Sequence, residues 1–206
     1  MIKKVIISIA IAGATLVMVS SFISSNNKTT ATIYQVDLVQ STLKWIGKKV
    51  TGEHTGNVKI SSGSLTVNNN TITAGAFDID LSSITSTDVA DPTSNAKLIG
   101  HLKSDDFFSV TKFPKASFVI STVKLKEKDQ YDIIGNLTIK GITKSITFPA
   151  TIKIDANTVS ATAKITVDRT KYDIKFRSTS FFSDLGDKAI DNDFILDLKL
   201  IANKSK

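Results

Sequence analysis

Apolar and polar residues alternate with a period of two through most of the chain, which is the pattern of strands that bury one face and wet the other. Leu43 and Trp45 alternate with Thr42 and Lys44, Phe118 and Ile120 with Ser117 and Ser121, and Leu137 and Ile139 with Asn136 and Thr138. Ile142, Ile146, Phe148, Ile152 and Ile154 keep the same parity. So do Val159, Ala161, Ala163, Ile165 and Val167, and then Phe194, Leu196, Leu198 and Leu200. Polar clusters separate these runs: Ser61-Ser62-Gly63, Asn68-Asn69-Asn70, Lys128-Asp129, Asp155-Ala156-Asn157 and Gly186-Asp187 are read as short links between paired strands. One stretch breaks the period. Asp91 stands as an N-cap before Pro92, and Asn95, Leu98, Ile99 and Leu102 follow at three- and four-residue spacing, which predicts a single helix from Pro92 to about Ser104.

The pattern predicts an all-β domain, an antiparallel barrel of about eight strands with one short helix. Periodicity alone leaves a sandwich open, and long strands joined by short links favour the barrel. A barrel of this size is either filled by side chains or holds one small ligand. Ala74, Ala76, Ala116, Gly135, Ala161 and Ala163 are expected to point inward, and such small residues leave room for a cavity.

The first residues carry a different signal. Met1-Ile2-Lys3-Lys4 precedes an apolar run from Val5 to Val19, the layout of a signal peptide over residues 1–25, with an uncleaved membrane anchor as the alternative. A periplasmic or secreted protein is expected, with the domain at 33–203. The 206 residues contain no cysteine, which excludes disulfides, thiolate metal sites, a cysteine nucleophile and lipid attachment to an N-terminal cysteine. The formal net charge is +7, but the lysines are mostly scattered singly and form no clustered stripe, so no nucleic-acid partner is expected; attraction to a membrane surface is an open alternative.

Candidate chemistry is sparse. His54 and His101 are too far apart in sequence for an i, i+4 metal pair, and no third ligand is evident, so neither a metal nor a cofactor is expected. Asp105 and Asp106 read as a turn ahead of Phe107 and Phe108 more readily than as an acid–base pair. No nucleophile elbow, phosphate loop or zinc-protease motif occurs, and no catalytic residue is assigned. The candidate ligand-binding residues are Trp45, Phe118, Ile120, Leu137, Phe148 and Ile165 along a barrel interior, Phe107 and Phe108 near one mouth, and Arg169. Each apolar candidate has plain core packing as its alternative. For Arg169 the choice is between an anionic head group and an ion pair with Asp168, Asp173 or a neighbouring strand.

Five ordered motifs resemble the YceI-like family: His54-Thr55-Gly56, Ile79-Asp80-Leu81-Ser82-Ser83-Ile84, His101 to Phe108, Phe113-Pro114, and Gly135 to Lys144. Asp168-Arg169-Thr170 and Gly186-Asp187 extend the likeness, which runs from Tyr34 to about Ala202. The resemblance implies a lipocalin-like barrel, exported to the periplasm, that holds a polyisoprenoid or other long-chain lipid in its interior and acts as a binder or carrier and not as an enzyme. Asp173 departs from the family, which commonly has glycine there, and this places the local turn in question. Two other readings stay in view: a filled barrel whose loops, such as Thr85 to Asp91, bind a partner protein, and a lipid-modifying enzyme using His54 or His101.

Overall fold

The computed structural model describes residues 31–205, so the expected signal peptide at 1–25 lies outside the described residues. Nine antiparallel strands form one sheet: β1 (Thr32–Val36), β2 (Thr42–Lys49), β3 (Gly52–Asn68), β4 (Thr71–Ser86), β5 (Lys115–Glu127), β6 (Gln130–Ile139), β7 (Ile142–Ile154), β8 (Thr158–Asp168) and β9 (Ile190–Lys204). Pairing of β3 with β4 closes the sheet on itself. The circuit holds eight strand positions, because β1 and β2 share one. Between β3 and β9, β2 covers Gly52 to Val58 of one neighbour and Ile190 to Lys199 of the other, while β1 covers Ser64 to Val67 and Ala202 to Lys204.

The kink that divides β1 from β2 is built by local polar groups. The Asp37 carboxylate accepts the amides of Val39 and Gln40, each at 3.0 Å, which is the turn chemistry expected of aspartate. Ser41 then bonds Ile201 twice, its Oγ donating to the carbonyl at 3.2 Å and accepting from the amide at 3.0 Å. Closure leaves no long unpaired edge, and the apolar parity of every strand points to one shared interior.

The helix α1 (Pro92–Lys103) lies between β4 and β5, with Asp91 Oδ1 accepting the Ser94 amide at 2.8 Å as its N-cap. None of its residues is fully buried, but Ile99 and Leu102 pack against the core. The predicted Asn95 instead ties the helix to the preceding loop, donating to the carbonyls of Ser86 (3.3 Å) and Val89 (2.9 Å).

Hairpins set the closed end of the barrel. Asn69 and Asn70 both have positive φ (48° and 59°), the backbone of a two-residue turn that matches strand twist, and this joins β3 to β4. Lys128-Asp129 and Asp155-Ala156-Asn157 close the β5–β6 and β7–β8 hairpins at the same end, as their sequences predict.

Three sequence expectations are corrected. Ser61-Ser62-Gly63 is not a turn: it lies inside β3, where the register slips at a bulge between Ile60 and Ser62. Gly186-Asp187 sits in a 3-10 turn within the long connection from β8 to β9, not in a hairpin. Ala74 and Ala76 face solvent, because a second bulge opposite Thr66/Val67 inserts one extra residue and reverses the parity of β4. Gly75, Phe77, Ile79 and Leu81 take the inward side instead.

Candidate functional site

The barrel interior is hollow in two adjoining lobes. The mouth lobe, about 110 Å³, lies beneath α1 and the β8–β9 connection; the deep lobe, about 100 Å³, extends toward the hairpin end. Leu43, Ile79, Leu137 and Leu196 line both and form the waist between them. Every residue lining the deep lobe is apolar, whereas the mouth lobe admits Lys48, Arg169, Asp191 and Asp193 at its rim. Space walled only by hydrocarbon does not hold water, which needs two to four polar partners, and it does accept an apolar guest.

All nine sequence candidates line this space. Trp45, Phe107, Phe108 and Arg169 belong to the mouth lobe, Phe118, Ile120, Phe148 and Ile165 to the deep lobe, and Leu137 to both. Phe118 is the centre of an aromatic cluster, with ring centroids 5.5 Å from Phe148 and 6.5 Å from Phe77. Phe77, Ile79 and Leu81 were missed as candidates because the β4 bulge is invisible to a period of two. Phe194, Leu196 and Leu198 alternate plainly in sequence and needed only to be assigned to the interior.

The mouth is built around two short motifs. Trp45 reaches from β2 across β3 and donates its indole N–H to the Thr85 carbonyl of β4 at 2.9 Å. Gly56 makes this possible, since a Cβ there would lie 1.7 Å from Thr85 O and 2.8 Å from Trp45 Nε1. His54 Nδ1 lies 2.7 Å from Asp88 Oδ2, and the same carboxylate accepts the Thr55 amide (3.0 Å) and Ser86 Oγ (2.9 Å). Partial burial opposes ionisation of Asp88, but these hydrogen bonds outweigh it and hold the carboxyl at about 2. The His54-Thr55-Gly56 motif therefore clamps the Thr85–Asp91 segment at the rim.

His101 sits beside Asp106 (Nε2 to Oδ2, 3.0 Å) with the rings of Phe107 and Phe176 edge-on at 4.9 and 4.6 Å. Asp105 points away to Lys112 at 2.9 Å, so the two aspartates do not act as a pair. Among the described residues, no three His, Cys, Asp or Glu side chains converge as a metal site would require.

Arg169 takes a position that neither sequence alternative foresees. It is 4% exposed, and its Nε, Nη1 and Nη2 donate to the carbonyls of Asp191 (2.9 Å), Ile174 (2.8 Å) and Ile190 (3.0 Å). Burial pulls its pKa below the ordinary guanidinium value, countered by the charges of Asp168 and Asp191. The alternative ion pair does not form: Asp168 accepts from Thr170 N and Oγ1, and Asp173 pairs with Lys175 at 2.6 Å. Arg169 is a strut that ties the β8–β9 connection to β9 and closes the cavity wall.

Asp173, the departure from the family pattern, has φ 58° and ψ 31° at the end of the 3-10 turn Arg169–Tyr172. Glycine is the usual occupant of that left-handed backbone, and aspartate is among the residues that tolerate it. The turn is kept.

A model of the YceI-like domain matches residues 34–202. The chain belongs to the YceI-like family. Among curated relatives, Protein YceI of Salmonella arizonae is 48% identical over 58 residues, 28% of this chain and 30% of that protein. The aligned part thus spans under a third of the curated relatives' length. The fold is similar to that of BcnA from Burkholderia cenocepacia (TM-score 0.65, 21% identity, 81% of this chain and 99% of that one). It is also similar to a chain from Saccharophagus degradans described as a polyisoprenoid binding domain implicated in plant cell wall breakdown (TM-score 0.64, 16% identity, 84% and 98%). A YceI protein of Campylobacter jejuni matches less fully (TM-score 0.51, 22% identity, 66% and 75%).

Proposed function

We propose that this protein binds one long apolar lipid of the polyisoprenoid class in its barrel, tail in the deep lobe, as a periplasmic or secreted carrier without catalytic activity. The observation that carries the reading is the wholly apolar lining of the deep lobe, which shares Leu43, Ile79, Leu137 and Leu196 with the lobe beneath α1. The described polyisoprenoid-binding domain of like fold supports the ligand class.

Apolar burial is the attraction this lining offers: each CH₂-equivalent seated in the cavity contributes about 0.8 kcal/mol, set against an association cost of about 8 kcal/mol. Arg169 is committed to main-chain carbonyls and adds no charged anchor.

Trp45 is the single tryptophan and lines the mouth lobe, so it reports occupancy directly. Titration of delipidated protein with a long-chain isoprenol should change Trp45 emission saturably at one ligand per chain; an emission that stays constant to the solubility limit refutes the assignment.

A further inference from the structure

The two most exposed aromatic side chains outside the barrel wall are neighbours, Phe181 (49%) and Phe182 (51%), and the β8–β9 connection presents them at the mouth end. Hydrogen bonds fix that position. The Ile190 amide donates to the Arg177 carbonyl at 2.9 Å, and the Val50 amide donates to the Ala189 carbonyl at 3.3 Å. The tip of the β2–β3 hairpin, where Val50 is 62% exposed, therefore lies against the same connection. Phe176, five and six residues before the exposed pair, packs on His101 and Phe107, and Phe107 lines the mouth lobe.

Cations accompany the rings. Lys175 Nζ stands 5.2 Å from the Phe181 centroid and the Arg177 guanidinium carbon 5.1 Å from that of Phe176. Aromatic rings beside Lys and Arg are the composition of segments that sit at a membrane–water interface, the rings among acyl chains and the cations at phosphate level. Asp173, Asp184 and Asp187 share the connection with five basic residues, so its net charge is only +2 and the rings supply most of the attraction.

We propose that this end of the barrel docks on a phospholipid bilayer, with Phe181, Phe182 and Val50 entering the interface. The inference rests on the lipid-binding reading of the cavity: an apolar guest crosses water at high cost, and a mouth seated on the bilayer removes that crossing. Other exposed apolar residues lie away from the mouth: Leu38 (50%) and Val39 (92%) in the β1–β2 kink beside Ile201, and Leu125 (66%) at the β5–β6 hairpin of the opposite end.

The test uses the full chain and phosphatidylcholine vesicles brominated in the acyl chains, which quench only an indole that enters them. The indole introduced by Phe182→Trp should lose most of its emission, while Leu125→Trp and the wild type, reporting through Trp45, should change little. Position-specific quenching separates this docking from any membrane attachment by the N-terminal segment. An unquenched Phe182→Trp protein, or equal quenching of Leu125→Trp, overturns the proposal. Extraction of the same preparation reads the cavity separately: lipid recovered without quenching defeats the docking alone, and quenching without lipid defeats the cavity reading on which it rests.

Discussion

Gly135 lies under the ring of Phe118. A Cβ at position 135 would approach the ring to 2.4 Å and the Val119 carbonyl to 2.6 Å, so the absence of a side chain on β6 is what seats Phe118 in the deep lobe. Gly135→Ala should displace that ring and strain β5, lowering stability by about 1–3 kcal/mol. Denaturant unfolding checks the value, and the Trp45 titration should show weaker ligand binding in the same variant.

The arginine strut has a sharper signature. Arg169→Ala leaves the carbonyls of Asp191, Ile174 and Ile190 without their donor, and each such buried group costs about 1–3 kcal/mol. We expect a loss of at least about 3 kcal/mol in denaturant unfolding, and little rescue by Arg169→Lys, whose ammonium cannot reproduce the planar fork. Binding of a phosphorylated isoprenoid and of its free alcohol should fall together. A selective loss of the phosphorylated ligand would instead make Arg169 a head-group contact.

How far the sequence foretells these features follows from the range of the interactions involved. Parity along β7, β8 and β9, the Asp91 cap and the asparagine turn are local, and each is legible. The eight apolar candidate side chains reach the cavity because an apolar face must meet the interior of a closed barrel. The β4 bulge depends on the register of β3 against β4, so the inward set shifted from Ala74 and Ala76 to Gly75 and Phe77. The Arg169 carbonyls belong to residues five and about twenty positions away, and no local pattern announces them. Small alanines suggested a cavity; only the fold shows that Ala161 and Ala163 line one and Ala74 does not.

Filling the deep lobe separates binding from stability. Ala161 is half-buried and lines only that lobe. Ala161→Phe should occupy space reserved for the lipid tail and weaken binding at least about tenfold, or ~1.4 kcal/mol. Its thermal unfolding midpoint should stay near that of the wild type. Unchanged affinity would place the tail elsewhere.

Tyr172 offers a stability prediction of opposite sign. Its hydroxyl is buried without a partner, the residue is 1% exposed, and burial followed by the charge of Asp168 pushes its pKa up to about 12. The neutral form is the one the fold favours, so its contribution is complete below the ordinary tyrosine value of about 10 and is lost as pH rises through about 12. Tyr172→Phe removes the unsatisfied hydroxyl and should raise stability by up to about 1 kcal/mol at neutral pH. A marked destabilisation would reveal a partner for that oxygen.

The rim clamp responds to acid. Asp88 is held at about 2, below its ordinary 3.8, so the stabilisation it provides is present above pH 3.8 and is lost as pH falls through about 2. NMR of the Thr55 and Thr87 amides should show them released over that window, and Asp88→Asn should release them at neutral pH while leaving the β7–β8 hairpin unaffected.

The central claim is that the hollow of the barrel is a lipid site. Its most direct measurement is organic extraction of protein purified without detergent from its native compartment, followed by mass spectrometry. We predict recovery of one species of isoprenoid class at close to one per chain, lost in Ala161→Phe. Repeated extraction that yields no apolar molecule, from protein that remains folded, would contradict it.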